Sequence, residues 1–442
     1  MASEQKRIRI AVVGGGIGGL CLALGLLRHP QLDVHVYEAA PQFAEIGAGV
    51  AFGINAQTAL FKLDPRIRPA YETIRTSNVD ASTDAEQKKA TYFRIQLGMD
   101  HKNGKDKADD QICEIMCVGG FSSVHRARFL DSLVALLPEK VMQDNVSFGH
   151  RFVDLKELPD GKVQLEFANG KTAEADAVIG CDGIKSEVRQ ILLGRDRPES
   201  KPRFTHKYAY RGLIPMERAR AELGDRQAQN SHHNLGYDGH VLTFPIDKGK
   251  TMNVVAFQTM ERDWDQSDWV KQVKKEDLVR DFQHWGANVR KIIGMMERCD
   301  MWALFEHPPS HTYHKKGQIC LLGDAAHAST PHQGSGAGMA IEDAYILSSL
   351  LGDIQDTSML EAVFHAYETV RKARTQLLVS RSHEQSMLYD FQADGIRDDV
   401  SKLAEILPRR WDWIWDEDLE VELRDARSIL NQKAPNASKP NI

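Results

Sequence analysis

Three glycines, Gly14-x-Gly16-x-x-Gly19, stand between an apolar β-rich run (Ile8 to Val13) and an apolar helix-forming run, and a second β-rich run ends in Glu38. This spacing suits the binding of a pyrophosphate. Gly14 permits a tight turn, Gly16 lets the backbone approach the phosphates, and Gly19 allows close packing of helix on strand, while the helix N-terminus offers N–H groups and a positive dipole end. Glu38, 19 residues after Gly19, can accept the ribose hydroxyls of an adenosine. The fingerprint identifies a dinucleotide site and leaves FAD and NAD both open.

Two further stretches point to the same ligand. One is a strand-like run ending in Asp182-Gly183-Ile184-Lys185-Ser186-Glu187-Val188-Arg189, where Asp-Gly makes a turn and Ser186 is placed to cap the next helix. The other is Leu322-Gly323-Asp324-Ala325-Ala326-His327, followed by Pro331-His332-Gln333-Gly334-Ser335-Gly336-Ala337-Gly338. Asp324 at a strand end can bind a ribityl hydroxyl. The glycine run lets backbone pass under a flat ring and opens another helix toward negative charge.

The elements that must position these residues follow from pattern. The expected fold is α/β: a split Rossmann-like nucleotide-binding domain, an inserted antiparallel-sheet substrate domain and a C-terminal helical region. Residues 1–80, 119–200 and 304–390 are expected to supply the nucleotide-binding domain, the last with a long amphipathic helix over about 360–390. Residues 81–118 read as a loop-rich segment of the substrate domain, 201–303 as its β-sheet, and 391–442 as a tail. Asn169-Gly170 predicts a hairpin turn. Trp411, Trp413 and Trp415 alternate with period two, which predicts one face of an extended segment docked on the main body. No internal repeat is visible.

Composition narrows the class. At 442 residues, with 42% hydrophobic and 27% charged residues, the chain is that of a globular enzyme with more than one core. A net charge of −6 offers no basic patch for nucleic acid or anionic membrane. No spanning helix or signal peptide is legible, and the terminal SKPNI carries no lipidation or peroxisomal signal, so a cytoplasmic protein is expected. Six cysteines in so long a chain make no disulfide framework, and the Cys113/Cys117 pair reads as reduced thiols, with no metal site.

GxGxxG, DGxxSxVR and GDAAHxxxPHQGxGAG, in that order, resemble the three signatures of the flavin-dependent aromatic hydroxylases, the group A flavoprotein monooxygenases. The likeness spans essentially the whole chain. Within that family, EIGAGVAFGINA, SSVHRARF, YAYRGL, DGHVLTFP, MNVVAF and WDWIWDEDL are most similar to decarboxylating salicylate hydroxylases. Fungal phenol dearomatases are the next nearest in kind. Cys181 departs from the usual alanine before Asp-Gly, a small apolar change.

The resemblance implies a para-hydroxybenzoate-hydroxylase-like fold and bound FAD, with NADH and O₂ as co-substrates. It implies that Glu38 holds the adenosine ribose, Ala51 lies against the flavin nucleotide, Arg126 and Asp182 contact the cofactor, Asp324 binds its ribityl–pyrophosphate part and Ala337 sits beneath the isoalloxazine. It further implies oxygen transfer through a flavin C4a-hydroperoxide to a small phenol such as salicylate, releasing catechol and CO₂. Hydroxylation of another phenol or hydroxybenzoate, and dearomatisation of a resorcinol aldehyde, are the alternatives in the same class; a flavin carrier without turnover is the alternative outside it.

On this reading His332, at the mouth of the flavin site, takes or holds the phenol proton, and Arg211 fixes a phenolate or carboxylate. Phe244 forms an apolar ring wall where some dearomatases carry a tyrosine, which favours salicylate. His327 reads as structural. A monomer or homodimer is expected.

Overall fold

In the computed structural model, which describes residues 7–43, 49–86, 88–265, 267–298 and 300–433, a six-stranded sheet gathers pieces of chain far apart in sequence. Its order is His314–Lys315, Ile319–Leu321, Ala177–Gly180, Ile8–Val13, Leu32–Tyr37, Val146–Ser147. Every pairing is parallel except at the His314–Lys315 edge. Ile8–Val13 runs through the centre, with Val13 opposite both Tyr37 and Gly180. Covered on both faces, these strands are apolar almost throughout, as parallel sheets require. The N-terminal MASEQK, part of the EIGAGVAFGINA segment (45–48) and the terminal SKPNI lie outside the described residues.

The helix Ile17–Leu26 is buried on all sides because the helix Gly336–Gly352 packs across it: a Cβ at Gly25 would stand 2.5 Å from Ser348 Oγ. Phe152–Glu157, Val163–Phe167 and Thr172–Ala175 form a small antiparallel sheet, with the turn at Asn169-Gly170 and Gly170 at φ 78°.

The second large sheet has nine strands. Arg203–Pro215, Thr251–Thr259, Gly239–Ile246 and His232–Gly236 form its middle, flanked by Asp300–Glu306 on one side and Lys89–Leu97 on the other. The stretch expected to be loop-rich therefore contributes two strands, Lys89–Leu97 and Gln111–Val118, joined by the loop over 98–110. Their pattern was hidden for a physical reason. Tyr92 to Leu97 are all buried, and the polar members find partners inside the protein: Arg94 Nε donates to Glu114 at 3.0 Å and Gln96 Nε2 to Asn234 at 2.8 Å. No alternation of polar and apolar side chains survives in such a strand.

The long helix, Leu360–Tyr389, packs against Gly336–Gly352 and the last helix, Leu419–Lys433. The seam is ionic. Arg371, fully buried, donates to Asp343 (2.8 Å) and Glu422 (2.9 Å) and pairs with Glu342 (2.8 Å). Arg374 donates to Glu342 as well, and Asn55 adds a 2.5 Å bond to the same carboxylate.

The tryptophan tail differs from the extended reading. Asp412–Trp415 is a helical turn, so Trp411 and Trp415, four apart, share a face and stack with centroids 6.0 Å apart. Both are buried in the core beneath the nine-stranded sheet, whereas Trp413 turns toward Arg374. Among the described residues, no helix is long and apolar enough to cross a membrane.

One clasp makes stability depend on pH. His314, on the sheet edge, sits 2.6 Å from Glu368 of the long helix and 3.3 Å from Glu361. Burial lowers the His314 pKa, but the bond to Glu368 and the two carboxylates outweigh it and raise it above 6.5. Burial tends to raise Glu368, yet His314 and Lys372 hold it well below 4.5. The histidine contribution is complete below pH 6.5 and is lost as pH rises through the folded value; the glutamate contribution is complete above pH 4.5 and is lost as pH falls through its folded value. His314→Gln should therefore lower the urea midpoint more at pH 6 than at pH 9, and an equal effect at both would refute the clasp.

Candidate active site

Each signature lies where a strand of the parallel sheet ends. Gly14, at φ 106°, could not carry a side chain, because a Cβ would stand 2.3 Å from Cys181 O. A Cβ at Gly19 would meet Gly14 O at 2.0 Å, so helix and turn touch backbone to backbone. At Gly16, Gly183 and Gly334, by contrast, nothing lies within 4 Å of that position. These turns face an open cleft.

The cleft has a volume of about 690 Å³ and is lined by Gly14–Gly16, Glu38, Phe43, Arg126, Lys185 and their neighbours. It shares Gly16, Arg126, Cys181 and Gly183 with a second cavity of about 340 Å³. Glu38 accepts from Gly15 N and Ala40 N, each at 2.7 Å, so both oxygens are fixed at the rim with lone pairs to spare.

Asp182 has a local role as well. It lines the cleft, but its carboxylate is used by its own loop: Ser186 Oγ donates to Oδ1 at 2.5 Å, and Glu187 N and Val188 N donate to Oδ2. Burial pushes its pKa up to about 6 despite these bonds. Ser186 caps the helix as expected, accepting from Arg189 N at 2.9 Å. Asp182 shapes the turn from a position in the cleft wall.

The second cavity lies between the parallel sheet's loops and the nine-stranded sheet. Ala51, Asp324, Thr330, Pro331 and Gly334–Ala337 form one side; Arg211, Leu242, Phe244, Val255 and Phe257 form the other, with Phe93 beside them. Asp324 is exposed into it, and Ala337 is in the first turn of the helix Gly336–Gly352. The sheet side is a product of register. Arg211 pairs with Val255 and Val255 with Leu242, so all three share a face, and Phe244 and Phe257 follow two residues on. Arg211 is half-buried, its guanidinium 4.3 Å over the ring of Trp302.

Leu242, Val255, Phe257, Phe93 and Lys185 were not singled out in the sequence. Alternation in HVLTFPI and MNVVAF marks the first three as one-faced, but only register shows which face.

His332, expected at the cavity mouth, is not in its wall. Its ring is buried, 4.9 Å from the ring of the wall residue Phe257 and 5.2 Å from His240. Burial drives its pKa well below 6.5, so the ring is neutral. His327 is held 2.6 Å from Asp343, whose other contacts are Arg371 and Gly323 N, and the buried ionic seam thereby reaches the Gly323-Asp324 turn.

A family model described as FAD binding domain matches residues 145–382. The chain is 40% identical to 6-methylsalicylate 1-monooxygenase of Aspergillus terreus, covering 96% of this chain and 93% of that protein. It is 36% identical to salicylate hydroxylase of Pseudomonas putida, with 97% of each covered. A solved structure, a salicylate hydroxylase substrate complex, matches with a TM-score of 0.82 and 34% identity over 96% of this chain and 98% of that one. The chain belongs to the FAD-dependent aromatic monooxygenases of salicylate hydroxylase type.

The residues present fit FAD, with open glycine turns for the pyrophosphate, Glu38 in the wall of the large cleft and Asp324 in that of the small one, the two cavities meeting at Gly16 and Gly183. Loss of one charged hydrogen-bonding group costs about 1.5–3 kcal/mol. Asp324→Ala and Glu38→Ala should each weaken FAD retention about 10- to 100-fold, measured by flavin release on dilution. Parental retention in both variants would dismiss these two assignments.

Proposed function

We propose that the protein converts salicylate to catechol and CO₂, consuming NADH and O₂. The observation that carries this reading is the second cavity: apolar, aromatic walls with one guanidinium, Arg211, on the sheet side, opening on Asp324 and on the helix start that holds Ala337. Such a slot takes a single ring by its faces and an anionic edge by Arg211. Its relatives named for salicylate and 6-methylsalicylate support the same substrate class.

Bound FAD supplies reduced flavin and activated oxygen to the cavity; the chain supplies the rest. Phe244 and Phe257 hold the ring and exclude water, and Arg211 fixes the carboxylate and phenolate so that the carboxyl-bearing carbon faces the flavin side. Oxygen delivered to that carbon leaves a ring that regains aromaticity by losing CO₂. The balance is salicylate, NADH, O₂ and two protons giving catechol, NAD⁺, water and CO₂.

Purified enzyme given salicylate should oxidise NADH, take up O₂ and release CO₂ and catechol in equal amounts. A second reading, 6-methylsalicylate as the preferred ring, is favoured by the 40% identical relative of that name and is compared in the same assay. Organic product from an alkyl-resorcinol aldehyde, with only hydrogen peroxide from both salicylates, would overturn the proposal in favour of a dearomatase. Phe244, which has no hydroxyl to orient such a phenol, speaks against that outcome.

A further inference from the structure

The tail that carries the tryptophans stands directly behind the wall of the second cavity. Trp411 is 1% exposed, and its indole Nε1 donates to the carbonyl of Gln333 at 3.0 Å. Gln333, also buried, closes the pair from its own side: its Nε2 donates to Arg410 O at 2.9 Å. Two neighbouring residues of the tail thus hold the end of the short helical turn Pro331–Gln333 by its backbone and by its side chain.

That turn is part of the cavity. Pro331 and Gly334 line it on the side facing Arg211 and Phe257. The turn's own bonds are local: Gly334 N donates to Pro331 O, and Ser335 Oγ to Gln333 O, each at 2.9 Å. Among the described residues, its hydrogen bonds to distant chain are the two that reach Arg410 and Trp411. His332, in the middle of the turn, adds the packing of its ring against Phe257. Gly334 is left-handed, at φ 61°, and nothing stands within 4 Å of where its Cβ would be. A turn ending on so permissive a residue keeps one position only where it is held.

The tail is itself anchored by charge. Arg374 of the long helix donates to Trp413 O (2.6 Å) and Ile414 O (2.8 Å), while its Nε stays on Glu342 (3.0 Å). Arg410 donates from Nε to Gln385 Oε1 at 2.9 Å and from Nη2 to Arg381 O at 3.2 Å. Charged donors make the stronger hydrogen bonds, and these fix the tail along the helix. Trp415 reaches another stretch of wall. A Cβ at Gly53, two residues beyond Ala51, would stand 2.3 Å from its Nε1. Its ring is 4.9 Å from that of Tyr92, and the wall residue Phe93 is 6.3 Å from the ring of Trp411.

Filling the core does not require this arrangement. A phenyl ring would supply apolar area without a polar atom, whereas a buried indole N–H must find an acceptor. At Trp411 that acceptor is a backbone oxygen of the cavity turn.

We propose that Trp411 and Gln333 are positioning residues, whose reciprocal hydrogen bonds with the turn and the tail hold Pro331–Gln333 where it fits the substrate ring against Arg211. The proposal rests on the aromatic-hydroxylase reading above. Where the turn drifts, the ring drifts with it, and a misplacement of about 1 Å can cost about 10²-fold in a positioned reaction. Activated oxygen that finds no ring carbon leaves as hydrogen peroxide: NADH, O₂ and one proton then give NAD⁺ and H₂O₂. The clasp therefore sets how much of the NADH consumed ends in catechol.

The test measures hydrogen peroxide and catechol formed by the FAD-loaded enzyme with salicylate, or with whichever 2-hydroxybenzoate the parent turns over. Trp411→Phe keeps a ring and removes the N–H. Its ratio of peroxide to organic product should rise at least about five-fold, with KM for the phenol within about two-fold. FAD retention and the urea midpoint should stay close to the parent's. Gln333→Met, which removes the other bond at like volume, should shift the ratio the same way and decides the matter if Trp411→Phe does not fold. Trp413→Phe changes a ring that lies against Arg374, 5.5 Å from its guanidinium, and should keep the parental ratio. A parental ratio in Trp411→Phe overturns the clasp and leaves the proposed reaction standing. So does an equal rise in Trp413→Phe, or a rise that comes only with loss of FAD. A parent that forms no organic product from any 2-hydroxybenzoate overturns both proposals.

Discussion

Arg211→Ala should lower kcat/KM for salicylate by about 10²- to 10³-fold while leaving FAD bound. The guanidinium is the cation on the sheet side of the cavity, and it lies in one row with Val255 and Leu242 of the wall. Truncating one partner of a desolvated, hydrogen-bonded charge pair costs about 2–5 kcal/mol, much of it from leaving the other charge buried and alone. Arg211 makes no assigned contact with the cofactor, and its stacking on Trp302 fixes the head-group rather than the sheet, so flavin content and unfolding midpoint should hold. Arg211→Lys should recover only part of the loss, because an ammonium lacks the planar fork that matches a carboxylate. A variant within about three-fold of the parent, a change of under 1 kcal/mol, would remove Arg211 from substrate binding.

Arg371→Leu should cost about 3–5 kcal/mol of folding stability, read from the urea midpoint, because it strands buried carboxylates that the guanidinium now neutralises. Glu342, Asp343 and Glu422 surround Arg371, each within 3.0 Å, and among the described residues only Arg374, lying against Glu342, would remain as a guanidinium beside them. The loss should extend to the site. Asp343 also accepts from Gly323 N and contacts His327, so its displacement loosens the turn that presents Asp324. FAD should therefore be released more readily from Arg371→Leu than from a surface change such as Arg427→Leu, whose partner Asp353 is exposed enough to be hydrated. Equal stability in the two variants would show that the seam is not held by its charges.

Local sequence carried the nucleotide-binding half of this protein because its requirements are local. A glycine at φ 106° against a carbonyl, a glycine whose Cβ would strike a backbone oxygen, an acid after the second strand and a serine at a helix start are each set by a few bonds along the chain. Three such units in order are enough to name the cofactor and the family, and the comparisons agree.

The strands Lys89–Leu97 and Gln111–Val118 escaped notice because their buried polar residues are satisfied by partners as far off as Asn234. The tryptophan spacing pointed to a strand because period two fits one as readily as the i, i+4 pair fits a helix, and the fit of Trp411 and Trp415 against the sheet decides between them.

By itself, then, the sequence determined the family and its FAD-binding fold, and three turns at the ends of parallel strands. Only the tertiary structure decided which residues of the nine-stranded sheet line the second cavity. Strand register put Arg211, Leu242 and Val255 in one row and Lys207 and His240 behind them, and packing against Phe257 took His332 out of the wall. Register is a long-range property: a shift of one residue would turn every side chain to the opposite face, and no local pattern excludes that shift until the two sheets close on each other.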